Sequence, residues 1–157
     1  MFFFGQYEHT IDAKQRLAIP ADHRAVLEKD ELGSVLIAAP GSNGAIFIWP
    51  EKYFREFAES LGGSPMGDED LFEYEQMLFS ESQGCPLDSV GRIRLPERLI
   101  ERYGLSRSVM VLGVKDHLEV IDLEQWKQKQ AARPADDDVL RRARQALAAK
   151  RRSDAAS

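Results

Sequence analysis

The sequence predicts an α+β fold, rich in β-strand, built from two tandem pseudo-symmetric repeats with short flanking helices. Three observations predict it. Ile11-Asp12-Ala13-Lys14-Gln15-Arg16-Leu17-Ala18-Ile19-Pro20 lies in register with Leu87-Asp88-Ser89-Val90-Gly91-Arg92-Ile93-Arg94-Leu95-Pro96 at an offset of 76. Ala45–Phe54 parallels His117–Trp126 at an offset of 72, so the first copy holds four extra residues, placed at the Pro40–Gly44 turn. Leu, Ile, Val and Phe are spread over residues 1–126 of a 157-residue chain that is 43% hydrophobic. That is enough apolar surface for one shared core and too much for wholesale disorder. Two blocks matching in the same order mark a duplication. The chain then divides into a first repeat 1–61, an acidic linker helix within 62–81, a second repeat 82–130 and a basic tail 131–157, helical or mobile.

Each repeat reads as the same series of elements. A strand leads to a turn at the Asp and a second strand, 16–19 or 92–95. Pro20 and Pro96 suit the first position of a helix, where a missing N–H costs nothing. Helices 20–29 and 96–103 follow, the second stopped at Gly104. Strands 35–38 and 45–49, or 109–114 and 118–121, come next. A closing helix begins near Pro50 or Asp122, where Asp122 and Gln125 have capping-box spacing. Gly62–Gly67 break the chain before a helix over 68–80. Its Leu71, Tyr74 and Leu78, with Phe72 and Phe79, recur at helical spacing. That apolar stripe suits packing on the core and equally a contact with another subunit. Asp136–Asp138 ahead of the six bases of 141–152 complement a helix dipole, but the apolar positions are sparse.

The formal net charge is −5, which by itself argues against nucleic acid. The charge is unevenly placed, so local patches and not the total decide about polyanions. Residues 51–81 hold nine acids and two bases, a net of −7, so the rest of the chain is +2. Nothing approaches the ~18–20 apolar residues of a membrane span. Met1–Gly5 lacks the features of a signal peptide. Cys85 is the lone cysteine, so no intrachain disulfide or cysteine zinc cluster forms. An intracellular, cytoplasmic protein is expected. His9, His23 and His117 are dispersed, with no metal-ligand spacing, no phosphate-binding glycine loop and no nucleophile elbow. No catalytic residue, metal, cofactor, small-molecule substrate or membrane partner is expected.

The repeated hairpins carry the remaining chemistry. Alternation along a strand turns Leu17, Ile19, Ile93 and Leu95 inward. Arg16 and Ala18, and Arg92 and Arg94, then face outward, with Lys14 on the Arg16 side if the strand starts that early. Arg98 and Arg107 are candidates for the rim. If the halves pair about a pseudo-two-fold axis, the arginines lie side by side. A β-ribbon of that kind enters the major groove of DNA. The pattern suits a protein-binding surface equally well, or ordinary surface arginines held by Asp12 and Asp88.

These residues, with Phe2/Phe3, Gly5, Tyr7, Glu8, His9, Arg24 and Val111-Leu112-Gly113-Val114 leading to Trp126, resemble the MraZ family over residues 1 to about 130. The resemblance implies an AbrB-like, swapped-hairpin β-rich barrel formed by the two repeats. It implies rings of eight or twelve subunits that bind direct repeats in double-stranded promoter DNA of the division and cell-wall cluster, usually as repressors in the nucleoid. The DNA-contacting motif carries over to Asp12, Lys14 and Arg16 and to Asp88, Gly91 and Arg92. Arg16, Arg92 and Arg94 would meet bases or phosphates and Lys14 phosphate, while Asp12, Gln15, Asp88 and Gly91 shape the turns and orient the arginines. The alternative is an AbrB-like oligomeric protein-interaction module with incidental DNA binding. Gln15 stands where the family motif has Gly, and a positive φ there costs ~1–2 kcal/mol. Val90 stands where Lys14 predicts a Lys.

Overall fold

Strand and helix alternate in the same order in both repeats. The structure, a computed structural model, describes residues 2–62 and 68–157. Most of the Gly-rich break expected over 62–67 lies outside them. The first repeat runs β1 (Gln6–Thr10), β2 (Arg16–Ala18), α1 (Ala21–Lys29), β3 (Val35–Pro40), β4 (Ile46–Pro50) and α2 (Glu51–Ser60). After α3 (Glu69–Glu81) the second repeats it with β5 (Gln83–Pro86), β6 (Arg92–Arg94), α4 (Glu97–Arg102), β7 (Ser108–Val114), β8 (His117–Asp122) and α5 (Leu123–Ala132). α6 (Asp136–Ala156) follows. The chain divides into two units, 1–126 and 127–157.

Pairing is antiparallel and crosses between repeats. The larger sheet has the order β1-β7-β8-β4-β3-β5, and β2 pairs with β6 in a separate ribbon. The first strand of each repeat thus joins the third strand of the other. Phe47 opposite Glu119 and Leu17 opposite Ile93 are equivalent positions of the two copies in direct register. The pseudo-two-fold axis passes through both. The sheet ends in two edge strands, β1 and β5. Among the described residues the strands form a six-stranded antiparallel sheet and a separate two-stranded ribbon.

The apolar alternation explains the core. Leu17, Ile19, Ile93 and Leu95 are buried together with Leu36, Ile46, Ile48, Leu99, Val109, Val111 and Val120. Burying each such side chain contributes about 1.5–3 kcal/mol, which β2 and β6, at three residues each, could not supply from backbone pairing. Gly113 lets the N-terminal segment lie close, since a Cβ there would strike the Phe4 backbone.

Two local expectations are corrected. Pro20 and Pro96 occupy the N-cap with extended ψ, one residue before the helix, where the ring disturbs no helical turn. Asp122 accepts from the Gln125 amide at 3.4 Å, but the Gln125 side chain donates to the Tyr103 carbonyl at 3.2 Å instead of closing a capping box. In α3 only Leu78 is buried, against Ala39 and Trp49, while Leu71, Phe72, Tyr74 and Phe79 are exposed. α6 is one helix of 21 residues, with Arg141 paired to Asp138 at 3.3 Å and Leu140 and Leu147 exposed.

Candidate nucleic-acid interface

Each repeat makes its turn with one carboxylate. Asp12 Oδ1 accepts from the amides of Lys14 at 2.9 Å and Arg16 at 2.8 Å, and Oδ2 accepts from Arg16 Nε at 2.7 Å. The Gln15 amide donates to the Asp12 carbonyl at 2.9 Å, and the Asp12 amide to the Arg16 carbonyl at 3.0 Å. Asp88 repeats every bond: Val90 and Arg92 amides at 3.0 and 2.9 Å, Arg92 Nε at 2.8 Å, Gly91 amide to its carbonyl at 3.1 Å. An Asx turn of this kind needs an acceptor on a short side chain, which is why Asp stands at both positions. The Arg16 amide holds the Asp12 carboxyl below the usual range against partial desolvation, helped by the Arg16 guanidinium and the Lys14 amide. The Arg92 and Val90 groups do the same for Asp88.

Both turns pass through left-handed backbone. Gln15 has φ 64° and Gly91 φ 82°. This conformation points each carbonyl at the opposite repeat. The Gly91 carbonyl accepts from the Ile19 amide and the Gln15 carbonyl from the Leu95 amide, both at 2.9 Å. The ribbon is thereby lengthened past its strands.

The outward face of the ribbon is basic. Arg16 lies directly opposite Arg94, and Ala18 opposite Arg92. Arg94 is exposed, with no ion pair among the described residues. Arg16 and Arg92 are tied through Nε, so their Nη groups are the ones left for a ligand. Lys14 is exposed, but in the turn and not on the strand, which begins at Arg16. Arg107 is exposed. Arg98 Nε sits 4.0 Å from Glu81, so its charge is partly compensated.

Other titratable groups serve the fold. His23 is buried between Phe3 and Tyr7, its ring edge-on to both. Burial lowers its pKa, partly opposed by Asp22. His117 stacks on Phe47 and Trp49, with Asp116 at 2.9 Å on Nδ1 and Glu119 at 2.8 Å on Nε2. Burial opposes its protonation, but the two carboxylates outweigh it and raise its pKa. Burial pushes the Cys85 thiol up to about 11, so it is protonated at neutral pH. Among the described residues no group of three or more His, Cys, Asp or Glu side chains could hold a metal ion, and no helix is long and apolar enough to cross a membrane.

Arg24 is the residue that strand patterning missed. It lies on α1, outside the ribbon. Its Nε donates to the Ile19 carbonyl at 3.1 Å, and its stem covers the Gly91 turn. The resemblance included Arg24, but nothing in the sequence placed it against Gly91.

Comparison with known proteins agrees with this geometry. The family model described as "MraZ protein, putative antitoxin-like" matches residues 2–70 and 78–146, further along the chain than the residues that suggested it. A protein named transcriptional regulator MraZ from Heliobacterium modesticaldum is 31% identical over 138 residues, covering 87% of this chain and 93% of its own. One of the same name from Carboxydothermus hydrogenoformans is 32% identical, covering 79% and 83%. Another, from Lactiplantibacillus plantarum, is 30% identical, covering 88% and 94%. Duplicated Asp-anchored hairpins, strand exchange between the repeats and a match that spans both copies give one conclusion: the chain belongs to the MraZ family.

Proposed function

We propose that this protein is a transcriptional regulator that binds double-stranded promoter DNA through the β2–β6 ribbon. The observation that carries the reading is Arg16 directly opposite Arg94. Like charges in cross-strand register destabilise a sheet. A polyanion across the outward face compensates them. Two strands lie ≈ 4.8 Å apart and fit a major groove ≈ 12 Å wide. Arg16 and Arg92, oriented by Asp12 and Asp88, are assigned to base edges or phosphates, as is Arg94 beside Arg16, and Lys14 to phosphate. Gln15 and Gly91 set the turns.

The name of the relatives, transcriptional regulator, supports this reading. In the finer form, the strand exchange is a swapped-hairpin arrangement of AbrB type. A ring of eight or twelve copies would engage direct repeats upstream of its own division and cell-wall genes, repress them, and reside with the nucleoid in the cytoplasm. Multivalency offsets the acidic total, because linked sites raise avidity by ~10²–10⁴. The exposed Phe2, Phe4, Phe72 and Phe79 supply apolar surface for subunit contacts. That same surface favours the second reading, a protein-interaction module.

Fluorescence anisotropy separates the two. A labelled duplex from upstream of the gene is compared with a scrambled duplex at about 0.15 M salt. Tight binding to the native duplex is expected, with Arg16→Ala weakening it by ~1–3 kcal/mol and Arg92→Ala doing likewise. Equal, weak binding to both duplexes refutes the DNA reading. Light scattering on the same sample reports the ring.

A further inference from the structure

The two hairpins are alike in every hydrogen bond but not in what covers their turns. Position 24 in the first repeat corresponds to position 100 in the second, at the same offset of 76 that relates Gln15 to Gly91. Both sit one turn into the helix after the proline that recurs in each repeat. The Arg24 amide donates to the Pro20 carbonyl at 3.0 Å and the Ile100 amide to Pro96 at 3.1 Å. Each faces the turn of the other repeat. Arg24 lines a hollow of about 430 Å³ with Asp88, Ser89 and Gly91. Ile100 lines one of about 280 Å³ with Ile11, Gln15 and Arg107.

What covers each turn decides which residue it admits. A Cβ on Gly91 would lie 2.5 Å from Arg24 Cδ and Nη1 and 2.8 Å from Cζ. For the Arg24 side chain to swing aside it must give up a hydrogen bond. Its Nε is bonded to the Ile19 carbonyl, and the Ile19 amide is bonded to the Gly91 carbonyl. Helix α1, the Ile19 peptide and the Gly91 turn thus form one closed linkage, and Arg92 is the next residue along. The turn at Gln15 adopts the same left-handed backbone with a full side chain, and the residue across from it is the shorter, uncharged Ile100.

We propose that Arg24 is a positioning residue for Arg92, and that the pairs Arg24–Gly91 and Ile100–Gln15 make the two hairpins read unequal halves of a DNA site. This rests on the ribbon being the DNA-binding face. The pairing is exchangeable within the chain. Gly91→Gln alone sets a side chain against Arg24. Gly91→Gln with Arg24→Ile transplants the first repeat's arrangement into the second.

The test is anisotropy of the full-length protein on the native and scrambled duplexes, with the melting temperature and oligomeric state of each variant. For Gly91→Gln we expect a loss of ~10-fold or more in affinity for the native duplex, the equivalent of ~1.4 kcal/mol. Binding to the scrambled duplex should change little, because phosphate contacts need no exact pose. Adding Arg24→Ile should return the melting temperature toward wild type, since only the left-handed backbone cost then persists, but should leave native-duplex affinity ~10-fold or more down, because Arg92 has lost its positioning residue and the second hairpin now copies the first. A merely structural role predicts something else: both duplexes weaken together and their ratio holds, or the double variant regains native-duplex affinity to within ~3-fold. Either result overturns the proposal. Wild-type protein with no preference for the native duplex overturns both this proposal and the DNA reading. A wild-type preference that Gly91→Gln leaves intact overturns this proposal alone.

Discussion

At the scale of single residues, the backbone and the titrating groups make separable predictions. Gln15 is held at φ 64°. Glycine removes a left-handed cost of ~1–2 kcal/mol but adds freedom to the unfolded chain worth ~0.5–1 kcal/mol. Gln15→Gly should therefore raise stability by up to about 1 kcal/mol in urea unfolding. Asp12 and Asp88 have lowered pKa values, so their share of stability is present above the ordinary carboxyl value of 3.8 and is lost as acid titrates them through their lower folded values. Both turns should hold from neutral pH down to about pH 4 and open below it, and Asp12→Asn with Asp88→Asn should flatten that acid limb of the stability curve. The two buried histidines act in opposite directions. His23 is lowered, so its contribution is complete above its ordinary value of 6.5 and is lost as pH falls through the folded value. His117 is raised, so its contribution is complete below 6.5 and is lost as pH rises through the folded value. His117→Gln should accordingly remove the decline in stability above pH 6.5, as read by urea midpoints from pH 6 to 9. A variant that keeps the wild-type slope would show that Asp116 and Glu119 do not hold a charged imidazole.

At the scale of elements, the sequence revealed those whose apolar spacing agrees with their burial. The alternation of Arg16–Ile19 and Arg92–Leu95 was legible because Leu17, Ile19, Ile93 and Leu95 all reach the core. The α3 stripe was not, because helical spacing records which side chains share a face, not whether another element is there to cover it. Leu78 is the one α3 residue buried, against Ala39 and Trp49. Leu78→Ala should cost about 2–5 kcal/mol if α3 and the core unfold together. Beyond Leu78, α3 is held by an edge-on Phe54–Phe79 contact and a long Arg98–Glu81 pair, so we expect it to detach first, with amide exchange in 69–81 accelerating before β4 or β8 responds. Uniform loss of protection would place α3 within the global folding unit. The cover over Gly91 was equally illegible, because Arg24 lies 67 residues away and acts through the left-handed turn of the other repeat.

At the scale of the whole molecule, the repeats cannot melt one at a time, since β1 pairs with β7 and β3 with β5. Trp49 lies in the first repeat and Trp126 in the second. Single-tryptophan variants, Trp49→Phe and Trp126→Phe, should report one coincident urea transition. Two separated midpoints would mean that the exchanged strands do not couple the halves. The duplication was readable because the two blocks match in order, and a swapped arrangement was expected from the resemblance, but the particular partners β1–β7 and β3–β5 were not, because an offset between copies does not say which strand of the other copy each one meets. The edge position of β1 and β5 is invisible for the same reason. The exchange has a historical consequence. A lone ancestral repeat would have had to borrow its missing strands from a twin molecule, so its folding would have depended on concentration. Fusing two copies would replace that encounter with a tether, for which local concentrations of order mM are usual. Once the twins were inherited together, they no longer had to stay identical. Ala18 against Arg94 and Gln15 against Gly91 are the divergence that a symmetric dimer of one gene product could never have shown.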